Sequence, residues 1–343
     1  MSAAENLRAT TVAMSAVIVN YNGRDDLSRC VAALLRDEPA IEIVIVDNGS
    51  HDEGLAQARI DHQRLRVISD GTNYGFAGGA NRGAAAASGE FLFFLNPDVF
   101  VEPGCVSTLR GALSAAPASL ICAPVIRDLS GTRVEYGFTV DWVGDLVSLK
   151  SEASPLYVSG CAFAISRQLF SRLGGFDDAY FMFCEDLDLC WRALLSGGDV
   201  RVIPDAAVKH RGGGSTPGGY VRHNRIQVTS FRLALRERNA LATLAQCGPL
   251  AWLLAAIPVR LTRIFVAILW ALLTGRLALA RDLVEGIAWN IRRLPHTVRT
   301  RRAMRVSSTV RRRVLLSRVL HDVVALRVLL RHGLPQFVDD SAV

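Results

Sequence analysis

Four short apolar runs, Ser15–Asn20, Ile41–Val46, Arg66–Ser69 and Phe91–Leu95, recur through the first hundred residues at intervals long enough to hold a helix between them. Runs so rich in Val, Ile, Leu and Phe do not alternate with polar residues, so they suit strands buried on both faces, as in a parallel sheet covered by helices. A helical pattern through Leu27, Cys30, Val31, Leu34 and Leu35 separates the first two runs, and a glycine-rich entry, Asn73 to Gly83, leads into a helix containing Ala84 to Ala87. The class is therefore α/β. In such sheets ligands bind beyond the carboxyl ends of the strands, and polar residues stand there: Asn20 after the first run, Asp47 and Asn48 after the second, Asn96-Pro97-Asp98 after the fourth.

The glycines of the Asn73–Gly83 stretch allow backbone N–H groups to approach a ligand, but their spacing is not GxGxxG and no GK[ST] follows, which sets aside a dinucleotide-binding or nucleotide-hydrolysing fold. An Asp just past a strand, with Pro fixing the turn, suits a metal ligand and equally suits a turn closure, so Asp98 stays open on this ground alone. Residues 105–117 read as a helix, 124–150 as an irregular region rimming an acceptor site, Tyr157–Ile165 as a strand and Val200–Ile203 as a last strand. Between these last two, Phe181 to Arg192 leads into a helix whose apolar face is Leu187, Cys190, Trp191 and Leu194. That spacing sets Glu185 and Asp186 in the first turn, where the helix dipole favours ionised carboxylates, and lets Asp188 pair with Arg192 one turn on. Either a general base or an acidic helix start with a surface pair fits. His210 stands in a loop, Val208 to Ser215.

The net charge of +7 is carried almost wholly by arginine, Lys150 and Lys209 being the only lysines, and the basic excess falls after residue 220. The seven cysteines form no CxxC pair and sit mostly in apolar runs, which fits a reduced, cytosolic setting. Met1 to Met14 lack the apolar stretch of a secretory signal.

Seven motifs occur in one order: Ile18-Val19-Asn20-Tyr21-Asn22, Val46-Asp47-Asn48-Gly49-Ser50, Asn73-Tyr74-Gly75-Phe76-Ala77-Gly78-Gly79, Leu95-Asn96-Pro97-Asp98, Gly174-Gly175-Phe176-Asp177, Glu185-Asp186-Leu187-Asp188-Leu189, and His210 with Gly212-Gly213-Gly214-Ser215. Together, over residues 14–240, they resemble glycosyltransferase family 2, most closely its bacterial rhamnosyltransferase branch. The resemblance implies a GT-A type fold with a mostly parallel sheet flanked by helices, a nucleotide-diphosphate-sugar donor, Mg2+ or Mn2+, and inversion at the anomeric carbon. It implies donor binding by Asn20, Asp47, Asn48, Asp52, Gly78, Asn81 and Asn96, with Asp47 accepting from the pyrimidine base. Asp98 matches the metal-binding acid and His210 the histidine that completes the metal shell. Asp186 matches the catalytic base, with Glu185 and Asp188 as understudies that orient the acceptor. Asn96 departs from the first acid of the wider DxD motif, a mark of this branch.

Residues 241–335 change in character. Pro249–Pro258 and Ile264–Leu273 are apolar runs separated by Arg260 and Arg263, each too short to cross a bilayer, so they read as amphipathic helices lying in a membrane interface. Arginines from Arg292 to Arg313 and an amphipathic pattern over 314–330 follow, which suits an anionic membrane surface; a helical bundle or oligomer interface is the alternative, and nucleic acid is set aside because aromatics do not interleave with the basic residues. The expected function is sugar transfer, L-rhamnose from dTDP-rhamnose, to a polyprenyl-diphosphate-linked saccharide at the cytoplasmic membrane face, with Arg238 and Asn239 binding the acceptor. A galactofuranosyl, mannosyl or hexosaminyl transferase, or a non-catalytic sugar-nucleotide-binding subunit, is the alternative.

Overall fold

The computed structural model describes residues 13–57, 64–212, 220–222, 225–305, 313, 315–320, 327, 330–333 and 336–338. In chain order the elements are β1 (Met14–Asn20), α1 (Arg24–Asp37), β2 (Glu42–Asp47), α2 (Gly54–Gln57), β3 (Leu65–Ser69), α3 (Gly75–Ala86), β4 (Phe91–Leu95), β5 (Val99–Val101), α4 (Cys105–Ala115), β6 (Leu120–Asp128), β7 (Val134–Glu135), β8 (Phe138–Val140) and β9 (Leu146–Ser148). Then follow β10 (Ala162–Ser166), α5 (Arg167–Leu173), α6 (Glu185–Leu195), β11 (Asp199–His210), β12 (Tyr220–Arg222), β13 (Arg225–Val228), α7 (Ser230–Cys247), α8 (Leu250–Leu273), α9 (Leu277–Arg292), α10 (Leu294–Arg305) and β14 (Gln336–Phe337). The chain forms two compact units, one of Met1–Val134, Ser159–Ala179 and Arg201–Arg211, the other of Glu135–Val158, Tyr180–Val200 and Gly212–Val343.

The first unit is built on a sheet of order β3-β2-β1-β4-β10-β6-β11-β5. β1, β2 and β4 are buried along their whole length, as their unbroken apolar sequences require. Those three and β3 run parallel, while β10 is antiparallel to β4 and β6, and β11 to β5. The sheet is thus mixed. Ile18, Ile43, Ile45 and Phe93 face α1 and α4 through Leu27, Leu34, Val106 and Leu109. On the other face α3 lies so close to β1 that a Cβ on Gly83 would stand 2.3 Å from Val17 Cγ1, which is why small residues fill this helix. Residues 124–128, the start of the region expected to be irregular, instead complete the nine-residue strand β6, seven of whose positions are buried.

In the second unit Ile264, Ala271, Leu279, Ala280 and Leu283 pack α8 and α9 on Ala234 of α7. The two apolar runs expected around Arg260 and Arg263 are one continuous helix, α8, of 24 residues. The reason is that both arginines turn inward. Arg260 meets Glu237 Oε2 at 3.0 Å and Asp145 Oδ1 at 3.5 Å, and Arg263 meets Glu237 Oε1 and Asp145 Oδ1, each at 2.8 Å. Neutralised at the helix's inner side, they do not interrupt it. Its outer side exposes Leu254, Phe265, Val266 and Leu273. By length and composition α8 is the one helix among the described residues apolar enough to cross a membrane. Most of the pattern expected over 314–330 lies outside the described residues, as do Arg311, Arg312 and Gly213-Gly214-Ser215.

Candidate active site

In the first unit, the register of β11 against β5 sets His210 opposite Val99, the residue after Asp98. The consequence is that His210 Nε2 lies 3.3 Å from Asp98 Oδ1, two side chains that the sequence could join only by motif. The Arg211 N–H donates to the Asp98 carbonyl and so fixes the strand end at that place. Burial of the imidazole opposes its charge, but the Cys161 sulfur and the Asp98 carboxylate outweigh that and push its pKa up to about 11. No group of three or more metal-ligating side chains occurs among the described residues. One hard carboxylate oxygen and one imidazole nitrogen fit a divalent cation that draws its remaining ligands from a bound phosphate, once the histidine proton is displaced.

The residues expected to bind the donor divide into two kinds. Asp47 is buried and already accepts from Asn20 Nδ2 at 2.8 Å, Ser50 Oγ at 2.6 Å, Ser50 N at 3.2 Å and Ser69 Oγ at 3.3 Å. A carboxylate offers about four acceptor positions, so a base would have to displace a serine. Ser50 and Ser69 had no assigned role in the sequence: Ser50 contacts Asp47 within its own turn, and Ser69 contacts it from the neighbouring strand. Asn20 also donates to Ser50 Oγ at 3.0 Å, while its own Oδ1 is buried without a hydrogen-bond partner. Asn48 donates to the Gly75 carbonyl at 2.8 Å, tying the end of β2 to the start of α3. Asp52 accepts from the backbone of Arg24 and Gly54 and shapes the loop.

Asn81 is engaged on both sides. Its Oδ1 accepts from Phe176 N at 3.0 Å and its amide donates to the Phe176 carbonyl at 2.9 Å and to Asp178, so it holds α3 to the Gly-Gly-Phe-Asp turn. Gly78 lies where a Cβ would meet Tyr74 at 2.9 Å, with Asp178 Cγ at 3.9 Å. Asn96 is partly exposed, and its backbone N–H donates to the Cys161 carbonyl at 2.9 Å.

In the second unit, α6 starts at Glu185 as its pattern requires, with Leu187, Cys190, Trp191 and Leu194 buried. The approach to it is unusual. Phe181, Phe183 and Cys184 all have positive φ, at 64°, 68° and 65°, a conformation that side chains with a Cβ rarely adopt. Asn239 from α7 holds this segment by donating to the carbonyls of Tyr180 at 2.9 Å, Met182 at 2.9 Å and Phe183 at 2.7 Å. Asn239 is wholly buried, so it positions the loop and does not meet an acceptor. Arg238 is likewise committed: it donates to the Tyr180 carbonyl at 2.9 Å and to Asn239 Oδ1 at 2.8 Å, with its guanidinium 4.5 Å from the Trp289 ring centre. Both corrections have one cause. The loop carbonyls that accept from them lie more than fifty positions away in the sequence.

The three carboxylates of α6 also separate. Asp188 is 1% exposed and bonded to Arg192 Nε at 2.7 Å, the pair expected from their spacing, but buried; it has no surface from which to orient an acceptor. Glu185 is buried with Oε2 unpartnered, and burial first, then the neighbouring Asp186 charge, hold its carboxyl well above the usual carboxylate range. Its surroundings therefore favour the protonated, uncharged form. Asp186 is the partly exposed member, with Oδ1 accepting from the Leu187 N–H at 2.7 Å. Partial exposure and a place at the positive helix end are what an ionised base needs.

The sequence matches the Glycosyl transferase family 2 signature over residues 15–174 and that of Glycosyl transferase family group 2 over residues 95–279. It is 28% identical over 265 residues, 67% of this chain and 86% of the relative, to the N-acetylglucosaminyl-diphospho-decaprenol L-rhamnosyltransferase of Mycobacterium tuberculosis. It is 26% identical over 212 residues, 55% of this chain and 79% of the relative, to Rhamnosyltransferase WbbL of Escherichia coli. Among solved structures, the mannosyltransferase PcManGT of Pyrobaculum calidifontis, in complex with GDP-Man and Mn2+, shares the fold with a TM-score of 0.51 at 19% identity, over 87% of this chain and 86% of that one.

Proposed function

This chain belongs to glycosyltransferase family 2, with a GT-A fold, and from that premise we propose that it moves L-rhamnose from dTDP-rhamnose to a polyprenyl-diphosphate-linked saccharide with inversion. The observation that carries a metal-dependent sugar-nucleotide chemistry is the meeting of Asp98 and His210 at 3.3 Å at adjoining strand ends. Asp98 and His210 would hold the cation, which when bound would offset the negative charge of the departing diphosphate. Asp47, Asn20 and Ser50 take the nucleotide base. Asp186 removes the proton from an acceptor hydroxyl as that oxygen bonds to the anomeric carbon; the C–O bond to the diphosphate breaks opposite it, and its electron pair leaves with the nucleoside diphosphate. Glu185 beside it is held towards its uncharged form by burial and by the Asp186 charge, which limits repulsion of the base.

Rhamnose and a lipid-linked acceptor are favoured by the activity for which the mycobacterial relative is named and by the exposed apolar side of α8. With Leu254 73%, Phe265 57% and Leu273 88% exposed and the flanking arginines Arg276, Arg281 and Arg292 outside, this side suits the interface of an anionic bilayer, at the cytoplasmic face. The test is a screen of nucleotide sugars with a polyprenyl-diphosphate-linked saccharide, read by product mass. A product heavier by one deoxyhexose, from dTDP-rhamnose alone, is expected. A hexose, furanose or N-acetylhexosamine product would replace rhamnose with another sugar; no product from any donor would remove the transferase reading.

A further inference from the structure

The first three turns of α7 carry three arginines, and only one of them is committed to the fold. Arg238 is held by backbone carbonyls and Trp289 as described. Arg232 and Arg236, one turn apart, share a helix face. Among the described residues neither has a carboxylate partner. Arg232 Nε is buried with no hydrogen-bond partner, and its guanidinium lies 4.7 Å from the Phe183 ring centre, which fixes it in place without satisfying it. Arg236 is near enough to Asp145 to act on its charge, but the Asp145 and Glu237 carboxylates are occupied by Arg260 and Arg263.

Three terms work against this arrangement. Arg232 sits in the first turn of α7, at the positive end of the helix dipole. It is partly desolvated, and Arg236 repels it; burial and that repulsion bring its pKa down to about 10. Unlike the arginines of α8, this pair makes no ion pair with a carboxylate among the described residues. The position is also specific. Phe183, beneath Arg232, belongs to the strained segment that leads to Asp186, and both Arg236 and Asp186 lie close enough to Cys184 and Tyr157 to act on their protonation.

We propose that Arg232 and Arg236 form a diphosphate-binding site beside Asp186, in which the bound anion supplies the countercharge that the fold leaves out. The inference rests on the reading that this chain's substrates carry diphosphates. Two sources share that chemistry, the lipid-linked acceptor and the sugar nucleotide. Guanidinium pairs suit it because each presents several N–H donors to phosphate oxygens in a planar fork.

The experiment is calorimetric titration of the full chain with inorganic pyrophosphate, geranyl diphosphate and dTDP, for wild type, Arg232→Gln, Arg236→Gln and Arg236→Lys, with melting curves to confirm folding. Arg276→Gln, at the residue before α9, serves as the charge control. At least a tenfold weaker affinity for pyrophosphate and geranyl diphosphate in both Gln variants, with dTDP unchanged, is expected and assigns the site to the acceptor. Weakening of dTDP instead keeps the site and assigns it to the donor. Folded Gln variants that bind all three probes as wild type does, or weakening no greater than that of Arg276→Gln, would overturn it. A chain that transfers no sugar yet loses pyrophosphate binding in these variants would refute the function and keep the site.

Discussion

Replacing Asn239 by Ala removes a single buried amide, yet it should disable the site from a distance. Phe181, Phe183 and Cys184 are held at φ of 64°, 68° and 65°, and such residues cost on the order of 1–3 kcal/mol each, so roughly 3 kcal/mol or more is stored in the approach to α6. The amide of Asn239 bonds three carbonyls of that segment, and a buried carbonyl left unpaired costs about 1–3 kcal/mol. Without it the segment relaxes towards ordinary backbone angles and Asp186 moves with the helix start. A stability loss of about 2–4 kcal/mol follows if water reaches only part of the freed carbonyls, lowering Tm by about 2–4 °C for each kcal/mol in a chain of this size. A displacement near 1 Å costs roughly 10²-fold in turnover. The assay pairs kcat with donor affinity: kcat should fall by about that factor while dTDP-sugar binding, which draws on residues of the other unit, stays within about twofold. A folded Asn239→Ala protein with turnover above roughly half of wild type would refute the view that this amide holds the base in place.

Glu185→Gln should keep most of its turnover, because burial already favours the uncharged form of the wild-type carboxyl, and should lose less stability than wild type as pH rises. The sign follows from its raised pKa: the folded state holds a proton that the unfolded state releases above about 4.5, so wild-type stability falls as pH rises through that range, at about 1.4 kcal/mol per unit of difference. Melting curves from pH 5 to 8 check it; equal pH slopes for the two proteins would contradict it. Asp98→Ala and His210→Ala should each weaken Mn2+-dependent donor binding, Asp98 more, and wild-type Mn2+ binding should release a proton in paired-buffer calorimetry that His210→Ala does not release. Undiminished activity in excess EDTA would remove the metal. Phe265→Glu with Leu273→Glu should abolish flotation on anionic vesicles without lowering Tm, since both side chains are more than half exposed; equal flotation would rule out α8 as the contact.

Much of the first unit was legible because burial on both faces leaves a plain mark: β1, β2 and β4 are unbroken apolar runs that end in the polar residues of the site. β6 was not, although most of it is buried, because Pro124, Arg127 and Asp128 break the apolar run. α8 was divided in two because Arg260 and Arg263 look like interruptions until Asp145 and Glu237, remote in sequence, are seen to pair with them. The same limit applies inside the site. Motif order proposes Asp98, His210 and Asp186, but which polar residues hold the scaffold depends on partners: Phe176 for Asn81, Tyr180 for Arg238, Ser69 for Asp47. Helical spacing alone did give the pairing of Asp188 with Arg192, because its partner is one turn away.

The assignment of Asp186 as the base is tested most directly by single-turnover transfer with Asp186→Asn, run beside calorimetric donor titration of the same preparation. A general base contributes roughly 10²–10⁴ in rate, so transfer should fall at least a hundredfold while the donor binds with wild-type affinity. Transfer retained above about a tenth of the wild-type rate would contradict the assignment, and with it the division of roles among Glu185, Asp186 and Asp188.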